Sequence, residues 1–351
     1  MIFTPNMLIL PILAALVTFF TMPLVRKLSL KVGAVALPGG RRPHKDITPM
    51  SGGIAIFVGF LIAILFLNNT SSELLGFLVG ASIIVAMGFI DDIFELPAIA
   101  KFFGQIIATL IVISAGVRIE LIGNMGNGND GVYYLGFLSL PLTFVWIIGI
   151  TNAVNFIDGL DGLAGGVCSI AAITLGIVAL VSGRTEVAIM CFTLGASALA
   201  FLPHNFTNSQ KHKIFMGDCG SGFLGFSLAV FSIVGATKVA AVFSMLVPII
   251  ILAIPIFDTG FAIIRRLAAG KSPFAADKMH LHHRLMDKGL SSKQTVIFIY
   301  VITAILGVIA VLSMYIEDKY IPYIFAATAI SFVIFLWKMG LIKIERKSSK
   351  G

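Results

Sequence analysis

The chain has 351 residues, of which 58% are hydrophobic and 12% charged, and its formal net charge is +8. Soluble domains carry roughly 25% charged residues, so this composition excludes a soluble globular protein. A membrane helix needs about 20 mostly apolar residues. The sequence offers eleven such stretches, and the connections that remain are too short for a separate soluble domain.

Hydropathy predicts an all-α polytopic membrane protein that forms a single domain over residues 1–351. The predicted spans lie near residues 7–28, 52–68, 74–90, 102–117, 139–154, 163–181, 187–203, 222–236, 240–261, 295–315 and 321–337. The first charges, Arg26 and Lys27, follow the first apolar run, which differs from a cleaved signal peptide, so this span is expected to be retained with its N-terminus outside.

The distribution of basic residues predicts the orientation. With the N-terminus outside, 21 of the 25 lysines and arginines lie in interior segments, as the positive-inside rule requires, and the C-terminus is cytoplasmic. Segment 262–294 is then a long cytoplasmic loop, and 338–351 is a basic cytoplasmic tail. Segment 118–138 faces outward, and its Asn127-Gly128 and Asp130-Gly131 pairs predict a small extracytoplasmic β-hairpin.

Five carboxylates stand at interior ends of predicted spans. They are Asp91, Asp92, Asp158, Asp161 and Asp218. A carboxylate near hydrocarbon costs about 2.5 kcal/mol or more, so such acids should face water, a cation or a cavity. Because three separate connections supply them to one membrane face, the pattern predicts a site for a metal ion and phosphate.

The adjacent pair Asp91 and Asp92 ends the third predicted span. Neighbouring carboxylates repel each other unless a cation or hydrogen-bond donors intervene. One of them could bind or deprotonate a phosphate nucleophile while the other holds Mg²⁺. A solvated helix end explains a lone pair of aspartates equally well.

Residues 151–162, TNAVNFIDGLDG, combine two amides and two carboxylates. Asn152 and Asn155, like Asp158 and Asp161, have i,i+3 spacing, which places each pair on one face if the segment is helical. Oxygen ligands of this kind suit Mg²⁺, which binds one or two protein groups together with phosphates and water. A polar turn explains the glycines and one aspartate, but not easily all four polar side chains.

Asp218 has both a functional and a structural interpretation, and Asp258 has a structural one. Asp218 lies in FMGDCGSG, where glycines allow close approach of a phosphate to a helix N-terminus. An N-cap role explains Asp218 equally well. Asp258 precedes Arg265 by seven residues, about two helical turns, which favours an ion pair between them.

Histidines are concentrated in the loop 262–294, in the sequence HLHHR at 280–284. Three histidines and an arginine could clamp a diphosphate through several donors. A zinc site is the alternative interpretation. It is disfavoured because HxHH has no cysteine partner, the three cysteines show no CxxC spacing, and the nearby acids favour an oxygen-rich magnesium centre.

Five motifs together resemble the polyprenyl-phosphate N-acetylhexosamine-1-phosphate transferase family. They are GFIDD, TNAVNFIDGLDGLAGG, KIFMGDCGSGFLG, PIFDTGFAIIRR and DKMHLHHRL, and the resemblance covers about residues 20–290. The HxHHRL form resembles the branch that uses UDP-N-acetylglucosamine (UDP-GlcNAc) more than the branch that uses UDP-MurNAc-pentapeptide.

The resemblance implies a multi-pass enzyme of the bacterial inner membrane with a cytoplasmic active site. The implied reaction transfers GlcNAc 1-phosphate from UDP-GlcNAc to undecaprenyl phosphate and releases UMP, which starts teichoic acid, O-antigen or a similar polysaccharide. Membrane lipids are expected partners and nucleic acid is not. The oligomeric state stays open, with a homodimer as one option.

The resemblance also implies site residues by motif position. Expected catalytic carboxylates are Asp91, Asp92, Asp158 and Asp161. Expected substrate-binding residues are Lys101, Asn152, His280, His282, His283 and Arg284. Asp218 and Asn155 match ligands of Mg²⁺, with Mn²⁺ as the alternative ion.

Phosphoryl transfer depends mainly on positioning and on neutralising charge, which favours a single in-line displacement with Asp91 or Asp92 as base. A two-step route through an aspartyl-phosphate is the alternative. Other UDP-N-acetylhexosamines or UDP-MurNAc-pentapeptide are alternative donors.

A secondary transporter should place its charges near the membrane midplane, whereas these acids gather at one face. A non-enzymatic assembly protein would not require this cluster of acids.

Overall fold

The computed structural model describes residues 4–37, 47–67, 70–123, 132–207, 209–236, 245–270, 272 and 279–341. The α-helices are α1 (Asn6–Val32), α2 (Gly53–Ile64), α3 (Ser72–Phe94), α4 (Ala98–Ser114), α5 (Ser139–Ile157), α6 (Leu163–Val181), α7 (Thr185–Asn205), α8 (Gly217–Ala236), α9 (Leu246–Ile251), α10 (Ala253–Ala268), α11 (Leu281–Asp287), α12 (Ser292–Ser313) and α13 (Ile321–Lys338). Short 3₁₀ turns lie at Gly136–Leu138 and Asp318–Tyr320.

Eight helices of the described residues are long and apolar enough to cross a membrane: α1, α3, α5, α6, α7, α8, α12 and α13. Two other predicted spans are the shorter apolar helices α2 and α4. The predicted span 240–261 is divided at Leu252 into α9 and α10. Pro255, which has no N–H for the helical ladder, follows this break closely. The chain is a multi-pass membrane protein.

Burial orders these helices from centre to edge. Most residues of α8 are buried inside the protein, whereas few residues of α13 are. Around α8 lies a core of aromatic side chains that includes Phe60, Phe77, Phe223, Phe226 and Phe231. The outer faces of α1 and α12 expose large apolar side chains, among them Leu16, Phe20, Leu24, Ile297, Val301 and Ile305. Lipid solvates such surfaces, so the amphipathic pattern of soluble helices is not needed here.

Glycines let three helices meet at the start of α8. A Cβ atom on Gly88 of α3 would collide with the backbone of Cys219, and one on Gly53 of α2 would collide with Gly220. Only glycine leaves room for backbones this close. The first residues of α2 and the C-terminal part of α3 therefore converge on the first turn of α8.

Two small antiparallel sheets lie outside the helices. Strands β3 (Leu121–Gly123) and β4 (Val132–Tyr134) pair with each other, which confirms the predicted hairpin strands. The predicted turn pairs at 127–128 and 130–131 lie outside the described residues. Strands β1 (Val35–Ala36) and β2 (Thr48–Pro49) form a second pair that hydropathy does not predict, and β2 leads directly into α2.

Candidate functional site

Two of the predicted acids meet around one lysine. Asp91, in the last turn of α3, accepts a hydrogen bond at 2.7 Å from Nζ of Lys101 and another at 2.8 Å from the backbone N–H of Leu96. The same Nζ atom lies 2.8 Å from Oδ2 of Asp218 in the first turn of α8. Lys101 therefore bridges two carboxylates from different helices, and the end of the bundle where they meet is called the acidic end below.

Asp92 faces the protein backbone at the acidic end. Its Oδ1 accepts the N–H of Asp218 at 2.8 Å, and its Oδ2 accepts the hydroxyl of Ser51 at 2.7 Å. Asp92 thus satisfies an N–H at the start of α8, as an N-cap side chain would. The N-cap interpretation of Asp218 is wrong, because α8 begins at Gly217 and Asp218 lies inside its first turn.

The two predicted amides lie on α5, as their helical spacing predicts. Asn155 donates at 2.8 Å to Oγ of Ser221, one turn beyond Asp218 on α8, and its amide lies close to the Asp218 carboxylate. Asn152 exchanges two hydrogen bonds with Gln105 of α4, at 2.8 and 3.3 Å. Only Asn155 of this pair joins the group around Asp218; Asn152 connects α5 to α4.

The acids Asp158 and Asp161 lie beyond the C-terminal end of α5, so they do not share a helical face as Asn152 and Asn155 do. Asp158 is the C-cap residue of that helix, and Asp161 pairs with Nζ of Lys213 at 2.6 Å. The turn between them and α6 is closed by Gly162, whose φ of +80° belongs to the left-handed region that glycine adopts readily.

The histidine motif packs against this turn. His280 is the N-cap residue of α11, and its Nδ1 lies 2.8 Å from Oδ2 of Asp258, whose Oδ1 accepts the N–H of Leu281 at 2.7 Å. The structure therefore gives Asp258 a different partner from the Arg265 that its spacing suggests. A Cβ atom on Gly159 would collide with the ring of His282, so α11 lies directly on the turn that carries Asp158 and Asp161.

The other two polar residues of the motif are His283 and Arg284. The ring centroids of His282 and His283 are 4.3 Å apart. Arg284 donates from Nε to the carbonyl of Met279 at 3.1 Å and from Nη1 to the carbonyl of Leu341. These contacts tie α11 to the chain just beyond α13, so at least part of the arginine's donor capacity holds the motif in place.

Comparison with known proteins decides the family. The profile of "Glycosyl transferase family 4" matches residues 74–236. A Bacillus subtilis protein named "Probable undecaprenyl-phosphate N-acetylglucosaminyl 1-phosphate transferase" is 40% identical over 301 residues, which cover 86% of this chain and 83% of that protein. The chain belongs to the polyprenyl-phosphate N-acetylhexosamine-1-phosphate transferase family.

Other members are similar over the same extent. A Mycolicibacterium smegmatis protein named decaprenyl-phosphate N-acetylglucosaminephosphotransferase is 33% identical over 84% of this chain and 79% of its own. A Yersinia pestis protein named undecaprenyl-phosphate alpha-N-acetylglucosaminyl 1-phosphate transferase is 30% identical over 82% of this chain and 79% of its own. The family profile spans α3 to α8, which includes Asp91, Lys101, Asn155 and Asp218.

The donor set at the acidic end is suited to a hard cation. Carboxylates of Asp91 and Asp218 and the amide of Asn155 offer oxygen ligands, which Mg²⁺ prefers to nitrogen or sulfur. Among the residues that the structure describes, no three His, Cys, Asp or Glu side chains stand where they could hold a metal ion by themselves. Mg²⁺ needs fewer protein ligands than that, because substrate phosphates and water complete its shell.

Three residues that contact the candidate site residues were not predicted from the sequence. Ser51, Gln105 and Lys213 contact Asp92, Asn152 and Asp161 across 41, 47 and 52 residues of chain. Gln105 is one turn after Lys101 on α4, so a polar residue at that spacing in an apolar helix is a signal that could have found it. Ser51 and Lys213 stand in polar connections, where no local pattern distinguishes them.

Proposed function

We propose that the protein transfers GlcNAc 1-phosphate from UDP-GlcNAc to undecaprenyl phosphate and releases UMP. The observation that carries the proposal is the arrangement of Lys101 between Asp91 and Asp218, next to the amide of Asn155. This arrangement brings a positive charge and oxygen ligands together, as a reaction between two phosphate groups requires. The names of the relatives support GlcNAc 1-phosphate as the transferred group and a polyprenyl phosphate as the acceptor.

The proposed enzyme crosses the bacterial inner membrane eleven times, with the acidic end in the cytoplasm. The shorter helices α2 and α4 and the divided pair α9 and α10 supply the spans beyond the eight long ones. Basic residues support this orientation, since Lys101 and Lys213 both pair with acids of the motifs at the proposed inner face. UDP-GlcNAc is a cytoplasmic donor in this arrangement, and the product serves envelope polysaccharide synthesis.

The reaction is difficult because its two reactants repel each other electrostatically. An oxygen of the lipid phosphate must form a bond to the β-phosphorus of UDP-GlcNAc while the bond from that phosphorus to the bridging oxygen breaks and UMP leaves. Both reactants are anions. Preorganised positive charge at the transferring group lowers such a barrier most, and Lys101 supplies one positive charge between two helices.

Mg²⁺ is the cation proposed for the same end of the bundle. Asp218 and Asn155 would hold it, and when bound it would neutralise the diphosphate oxygens. Asp91 lies next to this position, already paired with Lys101, and accepts any proton that the lipid phosphate still carries. The proposed route is a single displacement at phosphorus.

The nucleotide side of the site is proposed to be the turn after α5 together with α11. Asp158 and Asp161 come from the turn, and His280, His282 and His283 come from the helix that packs on it. Asp258 holds Nδ1 of His280, which orients the ring and directs its Nε2 atom for a hydrogen bond to the diphosphate.

The test measures UMP release by purified protein in detergent with undecaprenyl phosphate and Mg²⁺. UDP-GlcNAc, UDP-GalNAc and UDP-MurNAc-pentapeptide are supplied in separate reactions, because all three present the same diphosphate. UMP that appears only with UDP-GlcNAc, lipid and Mg²⁺, and that is lost in Asp218→Ala, supports the proposal. Release from another donor would reassign the sugar. No release from any of these donors by folded protein would overturn the proposed function, and would favour an unusual donor first and a transporter next.

A further inference from the structure

The segment that leads into α2 is fastened to the segment that leads into α8. Phe215 donates its N–H to the carbonyl of Pro49 at 2.8 Å, and Gly52 returns a hydrogen bond to the carbonyl of Phe215 at 2.9 Å. A third bond joins Gly53 to the carbonyl of Met216 at 2.9 Å. Three backbone hydrogen bonds over a few residues make the two segments one unit.

The same segment is also fixed to α1 and to the residues just after it. Met50 donates its N–H to the carbonyl of Ala34 at 2.9 Å and accepts the hydroxyl of Ser29 at 2.6 Å. Residues on both sides of Ser51 are therefore held by hydrogen bonds to other parts of the chain. The position of the Ser51 side chain is determined by this scaffold and not by a free loop.

Ser51 itself is fully buried and has a φ of +68°, in the left-handed region that favours glycine. Glycine would fit this backbone with less strain, so the hydroxyl is what serine contributes. That hydroxyl donates to Oδ2 of Asp92 at 2.7 Å, while Oδ1 of the same carboxylate accepts the N–H of Asp218 at 2.8 Å. A Cβ atom on Gly217 would collide with this carboxylate, so Asp92 lies directly on the turn before Asp218.

We propose that Ser51 is a positioning residue for the transferase reaction: its hydroxyl fixes the orientation of the Asp92 carboxylate, which in turn fixes the turn at Gly217 and the direction of the Asp218 side chain. This inference rests on the proposed function. It assigns Asp92 to the support of Asp218, whereas Asp91 and Lys101 face the reacting groups. Asp92 and Asp91 are adjacent in sequence but have separate tasks.

The experiment compares Ser51→Ala with Ser51→Gly in the UMP-release assay, with Ser227→Ala as the matched control. Ser227 is equally buried on α8, but its hydroxyl bonds to the carbonyl of Phe223 in its own helix. Both Ser51 variants are expected to lower kcat about ten- to a hundredfold, the factor that corresponds to the free energy of a hydrogen bond to a charged group. KM for UDP-GlcNAc should stay within about twofold, because the nucleotide side lies on α11 and the turn after α5.

The pair of variants separates the hydroxyl from the backbone strain. Ser51→Gly relieves the left-handed φ and should unfold in detergent at a temperature equal to or above that of Ser51→Ala, with the same loss of kcat. Recovery of kcat in Ser51→Gly would show that strain, not the hydroxyl, is responsible and would overturn the proposal. Loss of folded protein in both variants, or an equal loss of kcat in Ser227→Ala, would also overturn it.

A double substitution tests whether Ser51 acts through Asp92. In an Asp92→Ala background, Ser51→Ala should change the remaining rate less than about twofold, because residues that act as a unit are not additive. An independent, multiplied loss would overturn the assigned route. The wild-type rate in the same assay reports separately on the proposed function, since unmodified protein without activity would refute that function and not the role of Ser51 alone.

Discussion

The two ends of α3 differ in whether the helix dipole favours the acidic residues that lie there. At its start, Ser71 caps the helix by accepting the N–H of Leu74 at 3.2 Å, and Glu73 lies in the first turn, where the helix dipole favours an anion. At its other end, Asp91 and Asp92 lie in the last turn and Glu95 is the C-cap, where the dipole disfavours anions.

The difference lies in what each end requires from the rest of the chain. Glu73 follows the ordinary rule and needs no partner for its position to be favourable. Asp91 and Asp92 break the rule, and other elements compensate: Lys101 of α4, Ser51 before α2 and the N-terminus of α8. A local rule that is broken and then compensated from several elements is typical of a functional site.

The largest expected effect is the loss of activity when an acid of the acidic end is neutralised, compared with the same change at the start of α3. Asp218→Asn and Asp91→Asn should each lower the rate of UMP release roughly a thousandfold, because each removes charge that positions cations at the transferring phosphate. Glu73→Gln, at the opposite end of α3, should leave the rate within about twofold. A loss of activity in Glu73→Gln similar to that in Asp91→Asn would break the comparison.

The next effect concerns the cation that compensates the acidic end. Lys101→Met should lower kcat about a hundredfold, because two carboxylates then face each other without the lysine. Lys101→Arg should recover part of this loss, and Lys319→Met, at an exposed pair with Glu317, should have no effect on UMP release. Full activity of Lys101→Met would show that the bridge is structural.

A smaller effect is expected at the nucleotide side, where Asp258 is also compensated by partners from another element. Asp258→Asn should raise KM for UDP-GlcNAc about tenfold with a smaller change in kcat, because the ring of His280 loses its charged partner. Asp287→Asn, an exposed change on the same short helix α11, is the control. Steady-state kinetics with varied UDP-GlcNAc check this, and an unchanged KM would contradict the assignment.

The smallest effect belongs to the conventional end of α3. Ser71→Ala should destabilise the protein by about 1 kcal/mol, the usual cost of losing an N-cap, and should leave kcat unchanged. Thermal unfolding in detergent measures the first quantity and UMP release the second. A tenfold loss of kcat would mean that the two ends are coupled along the helix.

Sequence reasoning predicts the helices well where the signal is local. Apolar runs of sufficient length became α3, α5, α6, α7 and α8, because a helix in lipid satisfies its own backbone hydrogen bonds. It also predicts that Asp91 and Asp218 gather at one end of the bundle, since both stand at ends of predicted spans. Pro248 and Pro255 signal a bend in the span 240–261, and the structure divides this span at Leu252 into α9 and α10.

Contacts between elements are harder to predict. The spacing of Asp258 and Arg265 describes a single helix, whereas the actual partner, His280, comes from the next helix along the chain. Ser51 carries no periodic signal, and its contact with Asp92 depends on how two loops are fastened together. Such pairings are set by tertiary packing, which a pattern of local spacing does not contain.

The bond between Asp92 and the N–H of Asp218 spans 126 residues of chain, and this separation has a consequence for biosynthesis. At about 5–20 residues per second, the ribosome supplies Asp218 roughly 6 to 25 seconds after Asp92. During that interval the end of α3 can meet Lys101 but not α8. The nascent protein therefore passes through a period in which α3 has been synthesised but the candidate site is still incomplete.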